Sequence, residues 1–253
     1  MAAAETRHRA RWSGYCLGFA LGGFFDGILL HQILQWHHLL SAINSDDVRF
    51  QVAADGYFHA AMYVIAGLGL WMLAISRHVS PRLLAACILI GFGAWHVADS
   101  FLSHWLLGIH RIRMDSGNPL FWDLLWFAVF GLAPWLLGWL MLRRIDRHGD
   151  GIRRSATKAQ ALAALLTFAA GFQAMQPQED GLTAVLFASG TGPAGAMRAV
   201  SSAGGQVVWT DPSGELVVIR LADGMSGWRL FREGAILVSG AGLPPGCFNY
   251  LRT

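Results

Sequence analysis

The chain has 253 residues, 54% of them hydrophobic and 14% charged, with a mean hydropathy of +0.42, whereas soluble globular domains carry charge at about a quarter of their positions. The net charge of +3 comes almost entirely from arginine, Lys158 being the only lysine, and the cations cluster between apolar runs, which reads as membrane topology and excludes a nucleic-acid surface. Cys16 and Cys87 sit in apolar runs, Cys247 lies near the C-terminus and no CxxC occurs, which excludes a disulfide framework and a zinc ribbon.

The opening segment "MAAAETRHRARW" has no short apolar core followed by a small-residue cleavage site, so the first apolar run is expected to serve as the anchor itself. A helix needs about 20 apolar residues to cross the hydrocarbon core. Stretches of that kind lie at 14 to 36, 57 to 76, 83 to 107 and 119 to 142, and a shorter, Ala-rich fifth at 157 to 175. Eleven cations (Arg7, Arg9, Arg11, Arg77, Arg82, Arg143, Arg144, Arg147, Arg153, Arg154 and Lys158) fall on one side of this arrangement, against Arg49, Arg111 and Arg113 on the other. The positive-inside rule then makes the N-terminus cytoplasmic. With five spans the tail lies outside.

In the tail, "LTAVLFA" and "QVVWT" flank an Ala-rich helix near 193 to 204; "DPSG" turns into "ELVVIRL", "WRLFREGA" is helical and "AILVS" is a last strand. The order βαββαβ is that of a ferredoxin-like sandwich. Copper chaperones share this topology but need paired thiols to hold the metal, so a docking or structural module is expected here.

The first and third spans repeat one another. "GFALGGFFDGILLHQILQWHH" from Gly18 aligns without gaps to "GFGAWHVADSFLSHWLLGIHR" from Gly91, in the frame G-F-x6-D-x4-H-x5-H. Gly18 matches Gly91, Phe19 Phe92, Asp26 Asp99, His31 His104 and His37 His110, while His38 faces Arg111. A weaker echo, "GLGLWML" against "GLAPWLL", sets His59 of the second span against Asp123 of the fourth. The spans therefore read as two helical hairpins repeated in parallel orientation, which pack about a pseudo-two-fold axis along the membrane normal.

Asp26, His31, His59, Asp99, His104 and Asp123 all fall toward the outer ends of their spans. On an α-helix Asp26 and His31 stand about 140° apart at about 100° per residue. Ionisable groups inside a membrane are costly and face the bundle interior, and facing helices build metal sites from such residues. These six form the expected ligand set for a transition metal: nitrogen and carboxylate donors suit iron, zinc, copper(II) or manganese. A b-type haem with paired axial histidines, His31 with His104 or His37 with His110, is the alternative; a non-catalytic scaffold with structural Asp–His pairs is another. His37, His38 and His110 read as interfacial histidines, with entry ligands feeding a deeper site as the alternative. Asp55 reads as a cap of the second helix with a secondary role of orienting the His59 imidazole, His96 shares the broad face of Asp99, and Trp36, Trp105 and Trp122 read as an interfacial belt.

"DGILLHQILQWHHLLS", "DGYFHAAMYV", "HWLLGIHRIR" and "FWDLLWF", in that order, resemble the bacterial membrane proteins grouped as domain of unknown function 2243, over about residues 14 to 143. The resemblance implies the four-span fold and the motif positions, Asp26, His31, His37, His38, Asp55, His59, Asp99, His104, His110 and Asp123, and no reaction. The family tends to carry paired histidines where Trp105 and Arg111 stand here. Its genes are often met near those for terminal-oxidase assembly and copper handling, which implies a complex such as a terminal oxidase, or its assembly factors, as partner.

The expectation is thus an all-α polytopic membrane bundle at 1–148, a basic linker and fifth helix at 149–178, and an α+β ferredoxin-like domain at 179–253. Such a protein would sit in the bacterial inner membrane with its C-terminal domain in the periplasm, bind a transition metal, and take part in oxidase assembly or metal handling.

Overall fold

The computed structural model describes residues 2–34, 36–43, 47–76, 79–148, 156–174, 182–222 and 227–238. Arg77, Arg153, Arg154 and Cys247 of the sequence reading lie outside them. The helices are α1 (Ala2–Asp26), which runs on as a π-helical turn (Gly27–Ile33), α2 (Val48–Ile75), α3 (Pro81–Asp99), with a second π-helical turn (Ser100–Leu106), and α4 (Pro119–Trp126), joined through a third (Phe127–Leu132) to α5 (Ala133–His148) and followed by α6 (Ala156–Ala174). The tail adds β1 (Leu182–Phe187), α7 (Gly192–Ser202), β2 (Gly205–Thr210), β3 (Leu216–Leu221), α8 (Trp228–Arg232) and β4 (Ala235–Val238).

Local signals set several boundaries. Ser80 and Asn118 are side-chain N-caps, accepting from the backbone N–H of Leu83 and Phe121, and a proline follows each, fixing the backbone angle where no amide donor is missed. Four helical stretches, Glu5–His31, Arg49–Ile75, Pro81–Leu106 and Pro119–Arg147, are long and apolar enough to cross a membrane. The expected fifth, α6, is not among them. Its alanines make a helix readily but add little hydrophobic free energy each. Its outward side chains Leu165, Phe168 and Phe172 are nonetheless exposed.

The chain forms two compact units, Met1–Asp26 with Ala61–Gly171, and Gly27–Ala60 with Phe172–Thr253. In the first, α1 and α3 cross through glycines. A Cβ on Gly18 would stand 2.0 Å from the carbonyl oxygen of Ile88, and one on Gly91 would stand 2.2 Å from that of Tyr15. The two contacts are reciprocal, because Tyr15 relates to Ile88 as Gly18 relates to Gly91. Gly14 meets Cys87 and Gly22 meets Trp95 at the same sequence offset. Small residues let backbones approach in membrane helices, where dispersion replaces the hydrophobic drive. Leu17, Leu73, Leu83, Leu84, Ile145 and Ala163 close the core of this unit, and Arg7 and Arg11 each donate to Asp146 at 2.7 Å.

In the second unit the strands form one antiparallel sheet in the order β2-β3-β1-β4. Alternate residues of β3 point to opposite faces. Val217 and Ile219 join Val185, Phe187, Ala196, Val200 and Leu230 under α7 and α8, while Leu216 and Val218 join Leu186, Leu237 and Val52 of α2. A strand covered on both sides reads as a continuous apolar run, hence "ELVVIRL". The second face of the sheet is thus covered by the start of α2. Arg49 pairs there with Glu215, which also accepts the backbone N–H of Gly190 at 2.6 Å. Helix α2 begins nine residues before the expected position 57, so Arg49 is helical, outside any loop.

Candidate metal centre

The spacing D-x4-H depends on the π-helical turns. Residues five apart diverge by about 140° on an α-helix, but i→i+5 hydrogen bonding stacks them. Leu107 donates to the Leu102 carbonyl at 2.8 Å, and Leu34 to the Leu29 carbonyl at 2.9 Å. Asp99 consequently meets His104, Oδ2 to Nε2 at 3.1 Å, where an unbroken α-helix would have held them apart. Gly108 then takes φ +62°, with open space where a Cβ would go, and reverses the chain. His110 comes back to Asp99, Nε2 to Oδ1 at 3.6 Å, its ring centroid 4.7 Å from that of His104 and inclined at 72°.

Asp123, from the second turn of α4, lies on the other side of His104, Oδ1 to Nδ1 at 3.2 Å. It accepts from the Arg111 guanidinium at 2.7 Å and from the Ile112 backbone N–H at 3.0 Å. Carboxylates bracket the His104 ring at both nitrogens, and Asp123, on the side away from His110, stands where outer carboxylates orient metal-bound imidazoles. Asp99, His104, His110 and Asp123 are all buried.

The histidines of the second unit repeat the pattern. His31 and His37 stand with ring centroids 4.7 Å apart at 74°. Asp55 Oδ1 lies 3.5 Å from His31 Nδ1 and accepts from Leu39 N–H at 2.8 Å, while Oδ2 lies 2.8 Å from His38 Nδ1. Asp55 therefore does for His31 what Asp123 does for His104, with His38 in the place of Arg111 and Leu39 in that of Ile112. Two groups, Asp26/His31/His37 along the continuous stretch 26–37 and Asp99/His104/His110, each offer three donor atoms within 4.8 Å of one another.

Several expectations change. Asp123 corresponds to Asp55, which lies inside α2 and orients an imidazole; neither the match of Asp123 to His59 nor the cap role holds. His37 and His110 are buried at 4% and 1% exposure, so they belong to the polar groups and not to a solvated interface. His59 is buried, with Nδ1 at 2.9 Å from the Asp55 carbonyl. His96 faces Phe25, Phe92, Trp126 and Phe130, and its Nδ1 accepts from the Trp126 indole N–H at 3.1 Å. Asp55 stood among the motif positions; what the sequence left unseen was that its carboxylate lies between His31 and His38.

Comparison with known proteins adds a family and no function. No curated protein and no solved structure matches the chain. The family model described as "Predicted membrane protein (DUF2243)" matches residues 13–145, a segment that includes both three-residue groups and the two carboxylates that orient them, and the chain belongs to that family.

Proposed function

We propose that the protein is an integral membrane protein that binds transition-metal ions at two matched sites, one at Asp99, His104 and His110 and one at Asp26, His31 and His37. The observation that carries this reading is the double engagement of His104, with Nδ1 held by Asp123 and Nε2 turned toward Asp99 and His110. The donors are imidazole and carboxylate, the set that suits zinc, iron, manganese or copper(II). Neither group contains thiolate or thioether, which argues against copper(I). The parallel bonding of the two sets, and the reciprocal glycine contacts between α1 and α3, support descent of the four spans from a duplicated hairpin.

The arginine distribution supports a cytoplasmic N-terminus in a bacterial inner membrane, with both sites toward the outer face. Arg7 and Arg11 reaching Asp146 agrees with the ends of α1 and α5 lying on one side. The tail's strand order and βαββαβ connectivity support a ferredoxin-like domain. Its sheet packs on the start of α2, an outer end in this topology, so α6 would cross back from the inner side. At about 1.5 Å per residue its 19 residues nearly span a core of about 30 Å. A role in oxidase assembly or metal handling follows the resemblance and gives the reading its context.

Elemental analysis of the detergent-purified protein tests it, with wild type beside His104→Ala. Metal in wild type and a partial loss in the variant, which keeps the site at Asp26, His31 and His37, is the expected result. Metal at background after supplementation with zinc, iron, manganese and copper overturns the reading; a Soret band that shifts on reduction replaces the ions with haem. A metal-free protein that co-purifies an oxidase, with or without His104, would make it a scaffold subunit.

A further inference from the structure

We infer that the tail domain positions one metal site and not the other: its sheet, seated on the first turns of α2, fixes Asp55 against His31, with Leu237 as the positioning residue. This rests on the metal-binding reading above. The site at His104 and His110 has no such dependence.

The start of α2 presents two adjacent faces. At about 100° per residue, Arg49, Val52 and Gly56 fall within about 60° of one another, and Gln51 and Asp55 lie together on the next face round. The tail takes the first face. Val52 packs with Leu186, Leu216, Val218 and Leu237, with Ala53 beside them; Arg49 pairs with Glu215; and a Cβ on Gly56 would stand 2.6 Å from Leu237 Cδ1. The histidine segment takes the second face. Asp55 accepts from the Leu39 N–H at 2.8 Å and lies 3.5 Å from His31 Nδ1, and Gln51 Nε2 donates to the Leu40 and Ile43 carbonyls at 2.9 and 2.8 Å. One helical turn therefore carries both the seat of the tail and the carboxylate beside the imidazole. Ligand geometry has to be held to within about 0.5 Å by the groups behind it, so a tail that leaves its seat frees Asp55 to move.

The other half of the repeat does without this cover. The step that takes Asp55 to Asp123 takes Val52 to Leu120, Ala53 to Phe121 and Gly56 to Leu124. Those three side chains are exposed, the outward face of a helix long and apolar enough to cross a membrane. Glycine is the poorest helix former after proline, and at position 56 it stands where the repeat has leucine. The close approach of Leu237 accounts for it.

The connection to be held is also longer in the first half. Asp55 reaches back 17 positions to His38, and Asp123 reaches back 12 to Arg111. More chain must be ordered before the first carboxylate meets its imidazole, and the tail holds the helix from which that happens.

The test uses the full-length protein, stripped with chelator in detergent, and titrates Co(II) by its visible d–d bands. His104→Ala leaves the first site to be read by itself, and His31→Ala the second. In the His104→Ala protein, Leu237→Ala and Gly56→Leu, which copies Leu124, should each weaken Co(II) binding about tenfold or more and alter the bands. Leu237→Met should behave as Leu237 does. In the His31→Ala protein the same changes should leave the constant where it was, and Leu124→Ala should affect neither site. Leu237→Ala only truncates a side chain and decides the matter if Gly56→Leu does not elute as folded protein. A lowered Tm with the first site's constant and bands unmoved, or equal weakening of both sites, overturns the inference and leaves the metal reading standing. Failure of wild type to bind Co(II), Zn(II), Fe(II) or Mn(II) overturns both.

Discussion

Asp123 Oδ1 lies 3.2 Å from His104 Nδ1, and that contact decides which nitrogen His104 turns toward Asp99 and His110. Asp123→Asn keeps an acceptor for the Ile112 amide but removes the charge beside His104 Nδ1. Loss of such an outer carboxylate typically costs about 10- to 100-fold in metal affinity. The variant should retain its elution profile and lose affinity at one site by about that factor, read by competition with a chromophoric chelator.

Asp55 should matter as much for folding as for binding. It is fully buried and joins His38, His31 and the Leu39 amide, so Asp55→Ala strands several partners at once. Removing one member of a buried charged network costs about 3–5 kcal/mol. Thermal unfolding in detergent should show a large drop in Tm. Asp115→Ala, which removes an exposed ion pair with Arg113, should shift it far less.

The α1–α3 crossing leaves no room for a methyl group. Gly18→Ala and Gly91→Ala would each press Cβ against a backbone carbonyl, and overpacking of this kind costs about 1–3 kcal/mol or more. Gly67→Ala meets nothing within 4 Å and serves as the control. Yield and Tm should fall for the first pair and hold, or rise slightly, for the third. Equal behaviour of all three would contradict the packing.

Leu237 packs with Val52, Leu186 and Leu216 and abuts Gly56. Leu237→Asp buries an unpaired charge there and should release the sheet from α2, seen as faster proteolysis of the tail while the span region resists. Arg49→Ala, which removes the ion pair with Glu215, should give a milder effect in the same direction.

The proposed crossing of α6 has its own check. With the native cysteines replaced by serine, a cysteine at Ser202 should react with an impermeant thiol reagent added to intact cells, and one at Arg147 should not. Equal protection of both would put the tail on the inner side.

The D-x4-H spacing, the gapless repeat and the alternation of apolar runs and arginines are linear patterns. They gave the four spans, the family and the repeated spacing of the histidines without coordinates. What misled was helical phase. At about 100° per residue, Asp26 and His31 point apart, and nothing in the apolar sequence announces a π-helical turn, because that choice depends on what the side chains gain by it. The match of the second and fourth spans failed for a related reason: their shared Gly-Leu-Trp texture is packing composition, which tolerates a slip, whereas hydrogen bonds do not.

The sequence by itself determined that the chain is a membrane protein and which acidic and imidazole side chains occur at equal intervals, because hydropathy and spacing are properties of the chain alone. Only the tertiary structure decided which of them meet. It brought Asp55 to His31 and His38, Asp123 to His104 and Arg111, and the start of α2 to the tail sheet, because a buried carboxylate must find its donors and an apolar strand face its cover. Those partners lie far away in sequence, where no period points.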